Sequence, residues 1–382
     1  MTITRGEQPI EEPAAPQGSV NGPGRSRSRH VKTGDHRYPV MVVSGLLAVG
    51  LGIAAASIPV PYVVESPGPT FNTLGQDNGK AVISVTGHES YPAAGNLDLT
   101  TVYVDGGPNG RVSLFGAFAA WLDGSRAVYP EELIFPSGVT KEQSQQESAV
   151  AMTNSQENAL AAALKEMNMS FDQRLEIAGL SDNSASQGKL EPGDVFSSIN
   201  GKPVTSLTVI QTELAAGSGK PATVVVDRNG VPVTETVTPV GNPAGRFILG
   251  VGLKYQFTFP FDVKISLDKV GGPSAGLMFA LGIVDTLTPG DLTGRKHIAG
   301  TGTISPDGVV GAIGGIAQKM HGAQAGGATV FLAPAANCNE VVGHIPDGLQ
   351  VVKVENLAEA RQAVELAGSG QDTSGLPVCT SN

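Results

Sequence analysis

The stretch VGGPSAGLMFALG, residues 270–282, places two glycines and a proline before a serine and an apolar run after it. Proline suits the first turn of a helix, and glycine lets a backbone approach a substrate closely, so the pattern predicts a helix that starts at Ser274. Serine at such a position is commonly a capping residue. The free N–H groups and partial positive charge of a helix N-terminus also suit an oxyanion, which makes Ser274 a candidate nucleophile.

A serine nucleophile needs a base, and the sequence offers a lysine. Lys319 lies in IGGIAQKMHGA, residues 313–323, 45 positions after the serine and among isoleucine and methionine side chains. Burial destabilises an ammonium ion and lowers its pKa, so a buried lysine can accept the serine proton as a neutral amine. A surface lysine on an amphipathic helix is the alternative. None of the six histidines stands in a familiar triad setting.

Composition argues against several classes of function. The 382 residues carry 25 Lys and Arg against 35 Asp and Glu, a net charge of -10, which gives no support for nucleic-acid binding. The sequence has no HExxH motif and no clustered Cys/His site, so no metal or other cofactor is expected. The segment GSGKPA, residues 217–222, is not a nucleotide-binding loop, because Pro221 follows Lys220 and Leu214 stands where the first glycine belongs.

The N-terminal region predicts a membrane anchor. Residues 1–38 mix basic side chains with Pro, Gly and Ser and are expected to form a disordered cytoplasmic arm. Residues 40–58 carry no charge, and at about 1.5 Å per residue they nearly span a hydrocarbon core of about 30 Å. We therefore predict a transmembrane helix over residues 39–60, with the chain after residue 60 outside the cytoplasm. A cleaved signal peptide is the alternative, since AAAS at residues 54–57 offers small side chains.

Two further features concern the segments that flank the folded part. Residues 61–79 are rich in Pro and Gly and predict a link that leaves the membrane. The only cysteines are Cys338 and Cys379, and outside the cytoplasm an even pair can form a disulfide. We favour this bridge, which would pin the tail, residues 369–382, to the preceding domain. Two free thiols are the alternative.

Strand and helix patterns alternate through the rest of the chain, and we assign an α+β fold with mixed sheets. Residues 80–87 and 96–107 alternate as strands do, residues 112–124 predict a short apolar helix, and residues 141–169 predict a long one. Two hairpins are expected, one turning on Asn229-Gly230 and the other on Asp307-Gly308.

The segment GKLEPGDVFSSINGKPV, residues 188–204, closely resembles the core of PDZ domains attached to bacterial proteases. The resemblance implies a β-rich PDZ domain over residues 170–240. Such a domain binds an extended peptide, often a C-terminus, by strand addition at a sheet edge. A small β-rich spacer is the alternative.

Two motifs in the last third resemble the proteolytic domain of Lon proteases, which use a Ser-Lys dyad. They are GGPSAG, residues 271–276, and GTGTISPDGVVGAIGGIAQK, residues 300–319. The resemblance covers residues 245–368 and implies that Ser274 is the nucleophile, Lys319 the general base and Thr301 a supporting hydrogen-bond partner. Lon proteins typically have an aspartate where this chain has Gly271, which puts any gating role of that acid in doubt.

Residues 80–169 resemble the opening part of a Lon proteolytic domain, so the PDZ domain is expected to interrupt one catalytic fold. The order of arm, anchor, PDZ domain and catalytic segment resembles the membrane-anchored, ATP-independent Lon-like proteases of the bacterial plasma membrane. The resemblance implies protein or peptide substrates. Lon-like domains usually form rings, so it also implies a homo-hexamer.

These observations give a main hypothesis and two rivals. The main hypothesis is an ATP-independent extracytoplasmic serine endopeptidase whose PDZ domain captures unfolded or C-terminal segments. In it the backbone N–H groups of Gly272 and Ser274 stabilise the oxyanion. The first rival is a membrane-tethered peptide-binding scaffold with an inactive protease domain. The second is a self-processing regulator that cuts only itself or one partner.

Overall fold

The computed structural model describes residues 37–136, 138–267 and 270–380. The described chain falls into two compact units, one up to Ala54 and one from Ala55 onward. Most of the predicted basic arm, residues 1–36, lies outside the described residues. The helices are α1 (Arg37–Ala56), α2 (Leu114–Leu122), α3 (Glu131–Ile134), α4 (Lys141–Glu166), α5 (Leu207–Gly217), α6 (Gly276–Leu287), α7 (Ile316–Ala325), α8 (Cys338–Val341) and α9 (Leu357–Gly368).

The strands of the first third are β1 (Pro59–Val60), β2 (Tyr62–Asn72), β3 (Gln76–Asp77), β4 (Lys80–Ala81), β5 (Ile83–Thr86), β6 (Asn96–Asp105), β7 (Val112–Ser113) and β8 (Ala127–Pro130). Those of the middle are β9 (Asp172–Leu180), β10 (Val195–Ile199), β11 (Lys202–Pro203), β12 (Ala222–Arg228), β13 (Val231–Val237), β14 (Val240–Gly241), β15 (Phe247–Ile248), β16 (Val251–Thr258) and β17 (Asp262–Ile265). The last are β18 (His297–Gly300), β19 (Thr303–Ile304), β20 (Val310–Gly311), β21 (Val330–Pro334) and β22 (Gln350–Val354).

The first unit consists of the apolar helix α1. Its segment Tyr38–Ala56 has 19 residues and a mean hydropathy of 2.1, and none of it is buried within the protein. The helix is thus long and apolar enough to cross a membrane. It lies where the sequence predicts a spanning helix.

The second unit is built on a six-stranded mixed sheet in the order β22-β21-β18-β6-β2-β8. Strands β22, β21, β18 and β6 run parallel, and β2 pairs antiparallel with both β6 and β8. The sheet therefore joins strands from before residue 131 to strands from after residue 296. Together with the helices around it, it confirms the predicted α+β class.

The link predicted over residues 61–79 is wrong, because Tyr62–Asn72 forms strand β2 inside the sheet. Val63 and Val64 are buried there. Proline cannot donate to a sheet ladder, but Pro67 and Pro69 fall at or within an irregularity, where the register with β6 shifts between Pro67 and Thr70. The irregularity accommodates the prolines whose presence suggested a loop.

The core of this unit surrounds helix α6. Eleven of its 12 residues are buried, among them Phe279 and Leu281 at 0% exposure. The C-terminal half of α4 packs against it through residues 159–164, with helix α9 alongside. Thr140 caps α4 in a reciprocal capping box with Gln143, which fixes the start of this long helix.

A second sheet, in the order β13-β12-β10-β9-β16, has an apolar core of its own, and we call residues 172–258 the β-rich module. Helix α5 contributes Ile210 and Leu214 to that core. The predicted hairpin on Asn229-Gly230 is confirmed, with both residues at positive φ and Arg228 paired with Val231. Strand β16 pairs with β9 from residue 251 to residue 258 and forms one edge of the sheet.

The favoured disulfide is present between Cys338 and Cys379. The C-terminal tail also accepts a hydrogen bond, because the Lys353 N–H donates to Pro377 O at 2.8 Å. The tail up to residue 380 is therefore fastened to α8 and β22. The predicted hairpin on Asp307-Gly308 is also confirmed, since β19 and β20 pair on either side of it.

Candidate active site

Ser274 lies at the entrance to helix α6 but does not cap it. The helix begins at Gly276, its N-cap residue is Ala275, and no side chain caps it. The capping interpretation of Ser274 is therefore wrong. The serine is half-buried, and its hydroxyl is not held by the helix that follows.

The backbone of Ser274 is held by the loop after strand β18. Its carbonyl accepts hydrogen bonds from Thr301 Oγ1 at 3.0 Å and from the Gly302 N–H at 2.8 Å. Ser155 Oγ on α4 donates to Pro273 O at 3.0 Å. Two elements thus fix the peptide units on which the serine hydroxyl is mounted, as a nucleophile needs.

A glycine allows this close approach. A Cβ on Gly276 would lie 2.8 Å from Ile304 Cγ2 and 2.9 Å from Ser155 Oγ. Any larger residue would therefore require these side chains or the backbone of α6 to shift.

Lys319 lies on α7 and is 3% exposed, between Ile316 and Met320, which are also buried. Its Nζ donates to Thr301 Oγ1 at 3.1 Å. Thr301 therefore contacts both residues of the expected dyad, since its hydroxyl accepts from the lysine and donates to the Ser274 carbonyl. The structure brings the three sequence-predicted residues together.

Burial lowers the pKa of Lys319 from 10.5 to about 8, and the nearby Glu65 carboxylate partly opposes this by favouring the ammonium form. At pH 7 an amine of that pKa is neutral in about a tenth of molecules, against about one in three thousand at the ordinary value. The lysine is thereby brought into the range in which a general base works at physiological pH.

Glu65, on strand β2, belongs to this site although the sequence analysis missed it. The side chain is 7% exposed, and its Oε2 has no hydrogen-bond partner in the described part of the chain. Burial raises the pKa of Glu65, the Lys319 charge lowers it, and the Glu340 carboxylate raises it further. The apolar residues just before Glu65 are compatible with a buried strand, but the Pro and Gly residues of the segment 61–79 are more typical of a linker.

Ser274 and Lys319 line one cavity of about 790 Å³. Residues 99–104 of strand β6 form another wall of it, and Val270 and Gly271 lie at its rim. Among the described residues that line it, none is a histidine. His297 and Asp98 pair at 2.9 Å between β18 and β6, yet neither lines the cavity, so a Ser-His-Asp arrangement is not formed.

Of the two N–H groups expected to bind the oxyanion, one already donates a hydrogen bond within the protein. The Gly272 N–H donates to Ser148 O at 2.9 Å and is thus already occupied. Pro273 has no N–H. The Ser274 N–H, in contrast, makes no hydrogen bond to the described backbone. The hydrogen bond to Ser148 could not be foreseen because it joins two segments that are distant in the chain.

Gly271, where an aspartate is typical of Lon proteins, also packs against Ser148. A Cβ at this position would lie 3.0 Å from Ser148 Cβ. An acidic side chain would require Ser148 to move by a few tenths of an ångström, so glycine suits the close approach seen here. No group of three His, Cys, Asp or Glu side chains arranged to hold a metal ion occurs within residues 37–136, 138–267 and 270–380.

Comparisons with known proteins agree with this geometry. The family model for the Lon protease (S16) C-terminal proteolytic domain matches residues 266–366. A Lon protease 2 of Herpetosiphon aurantiacus is 30% identical over 158 residues, which cover 40% of this chain and 19% of the relative. A Lon protease 2 of Bacillus subtilis is 35% identical over 104 residues, covering 26% of this chain and 18% of the relative. The chain thus spans less than a fifth of either relative.

Among solved structures, the PDZ domain of an SdrC-like protein from Listeria monocytogenes is similar at 14% identity and a TM-score of 0.20, covering 21% of this chain and 85% of that one. The matched family segment contains Ser274, Thr301 and Lys319. Residues 266–366 therefore match the C-terminal proteolytic domain of the Lon protease (S16) family.

Proposed function

We propose that this chain is a membrane-anchored serine endopeptidase that works outside the cytoplasm without ATP, with Ser274 as nucleophile and Lys319 as general base. The observation that carries the proposal is the buried Lys319 amine, 3.1 Å from the threonine hydroxyl that holds the Ser274 carbonyl. Both dyad residues line one cavity large enough for a peptide segment.

The cavity wall suits an extended substrate. Strand β18 pairs with β6 only over residues 96–99, so the following residues of β6 that line the cavity have one unpaired edge. A substrate strand adding there gains backbone hydrogen bonds without a requirement for particular side chains. Such binding places a scissile carbonyl beside Ser274.

The reaction follows from the two side chains. Neutral Lys319 takes the hydroxyl proton of Ser274 as Oγ attacks the scissile carbonyl carbon. The resulting oxyanion accepts a hydrogen bond from the Ser274 N–H. The lysine ammonium then protonates the leaving amine, the C–N bond breaks, and an acyl-enzyme remains. Lys319 next takes a proton from water, which attacks the ester, and the serine recovers its proton as the carboxylate product leaves.

Thr301 orients the lysine in this scheme. Its hydroxyl accepts from Nζ and donates to a backbone carbonyl, so its lone pair points at the amine. It touches the base rather than the substrate and is a positioning residue.

The proposal includes the β-rich module as the element that captures unfolded or C-terminal peptide segments. Its edge strand β16 supports strand addition there. We further propose that the module interrupts one catalytic domain, because strands before residue 131 and after residue 296 share a sheet. A homo-hexamer is proposed from the resemblance to Lon-like proteins alone.

The test is cleavage of casein by the purified full-length chain without nucleotide. The proposal predicts turnover by the wild type and by Lys220→Met, which alters an exposed lysine of the β-rich module, and none by Ser274→Ala or Lys319→Met. Cleavage that survives either dyad substitution, or that requires ATP, rejects it.

One observation favours a second candidate, the tethered scaffold with an inactive protease domain. Two N–H groups, those of Gly272 and Ser274, were predicted to bind the oxyanion. The Gly272 N–H is bound to Ser148 O, which leaves the Ser274 N–H as the donor without a hydrogen bond to the described backbone. The scaffold predicts peptide binding with no cleavage by the wild type. The endopeptidase predicts that Ser148→Ala, which retains the accepting carbonyl, keeps its turnover.

A further inference from the structure

Helix α2 exposes an unusual surface. Its nine residues, LFGAFAAWL, include no charged or hydrogen-bonding side chain except the indole of the tryptophan. Five large side chains are between 48% and 71% exposed, and we call them the apolar ridge: Leu114, Phe115, Phe118, Trp121 and Leu122. Contiguous exposed apolar surface of this kind marks an interaction site.

The opposite face of α2 is anchored in the protein. Ala117 and Ala120 are buried in a small core with Val64 and Val112. Ser113 caps the helix by accepting from the Gly116 N–H. Because the opposite face of α2 is packed and its start is capped, the ridge faces away from that core.

The ridge starts beside Ile58, which follows helix α1 in the chain. The Leu114 N–H donates to Ile58 O at 2.8 Å, and β1 pairs with β7 directly beside it. Ile58 is the second residue after Ala56, the last residue of α1. Two residues reach about 7 Å at most, so the beginning of the ridge lies close to the point where α1 ends.

The chemistry of the ridge fits a lipid surface. Phenylalanine, leucine and above all tryptophan favour the boundary between headgroups and acyl chains. The charges that flank α2 in the chain are of mixed sign, because Arg111 precedes it, Asp123 pairs with Arg126, and Glu131 and Glu132 follow. Contact with a membrane would thus rest on apolar burial and not on attraction to anionic lipid.

We propose that the apolar ridge of helix α2 inserts into the interfacial layer of the membrane leaflet at which α1 ends, giving the proteolytic unit a second point of membrane contact. This rests on the proposed anchoring by α1. It adds that helix α2, besides the covalent link to α1, holds the catalytic unit against the bilayer.

The chain provides its own probe, since Trp121 is the only tryptophan in 382 residues. The full-length protein is inserted as single copies into phosphatidylcholine nanodiscs made with a tryptophan-free scaffold protein. Trp121 emission is then compared with and without lipid brominated in the upper acyl chain, and with iodide in the water. The proposal predicts quenching by brominated lipid and protection from iodide.

A pair of variants tests whether quenching by brominated lipid depends on the apolar ridge. Phe118→Ser is expected to reduce quenching by brominated lipid, and Val231→Ser, which alters an equally apolar and exposed side chain on the β-rich module, is expected to leave it unchanged. Neither residue lines the candidate active-site cavity, so both variants should cleave casein as the wild type does.

Three results would overturn the proposal. Quenching of Trp121 by iodide and not by brominated lipid shows a ridge in water. If Trp121 is protected from iodide in vesicles that hold many copies of the chain but not in single-copy nanodiscs, the ridge is covered by a second copy of the chain. Failure of the chain to enter nanodiscs rejects the anchoring by α1 and this inference with it, whereas a chain that enters with Trp121 in water rejects only the ridge contact.

Discussion

The pH dependence of cleavage follows directly from the environment of Lys319. The side chain is 3% exposed, and burial lowers its pKa to about 8, while the Glu65 carboxylate opposes the shift. Only the neutral amine accepts the serine proton. The rate of casein cleavage at low substrate concentration, which reports the free enzyme, should therefore rise with pH and reach half its maximum near pH 8.

The expected increase in the cleavage rate follows from the pKa of Lys319. With a pKa of about 8, the neutral fraction rises from about a tenth at pH 7 to about nine-tenths at pH 9, an increase of roughly tenfold. An exposed lysine would instead gain about a hundredfold over the same interval without levelling off, because its pKa lies above 10.

The substitution Glu65→Gln should shift the midpoint of the pH–rate profile. The substitution removes the negative charge that favours the ammonium form, so the pKa of Lys319 falls further and the midpoint of the rate profile moves below that of the wild type. Glu213→Gln is the matched control, since it neutralises another buried glutamate, which pairs with Lys202 in the β-rich module. Its midpoint should not move.

The assay uses initial rates of labelled casein between pH 6 and 10, with circular dichroism at each pH to show that the fold persists. A rate independent of pH between 7 and 9 would rule out Lys319 as the general base. A Glu65→Gln midpoint above that of the wild type would refute the role given to the carboxylate.

Three other changes have defined outcomes. Thr301→Val removes a hydroxyl bound to Lys319 and should slow casein cleavage by about ten- to a hundredfold, since a hydrogen bond to a charged group contributes about 1.5–3 kcal/mol, and Thr301→Ser should restore most of it. Replacing Cys338 and Cys379 by serine opens a loop with a separation of 41 residues and should lower the free energy of unfolding, measured in urea, by up to about 4 kcal/mol. Gly315→Ala forces a side chain onto a residue with φ of 66° and 2.9 Å from a neighbouring Cγ, so both the melting temperature and cleavage should fall, and an unchanged melting temperature would contradict this.

Sequence alone was sufficient where the information is local. The glycines and proline before Ser274 predict the turn into α6, and the apolar neighbours of Lys319 predict its burial, which the structure confirms. Residue type within two short segments made Ser274 and Lys319 candidates, and the resemblance to Lon proteases paired them and added Thr301. Their roles in catalysis stay predictions until the variants are tested.

The rest depended on contacts between distant segments. Glu65 was missed because the prolines that follow it are typical of a loop, and only the pairing of β2 with β6 shows how a strand accommodates them. The occupied Gly272 N–H was missed because its acceptor, Ser148 O, lies on α4. Neither the pairing of β2 with β6 nor the hydrogen bond from Gly272 to Ser148 can be predicted from the residues next to it in the sequence.

The most direct test of the Ser274–Lys319 dyad is covalent labelling with a fluorophosphonate, followed by mass spectrometry of the peptide that contains residue 274. A working dyad predicts that Ser274 is labelled in the wild type and in Lys220→Met, and that labelling is lost in Lys319→Met because no amine remains to take the hydroxyl proton. Labelling of Ser274 in Lys319→Met at the wild-type rate would contradict it, as would casein cleavage by a wild-type chain whose Ser274 stays unlabelled.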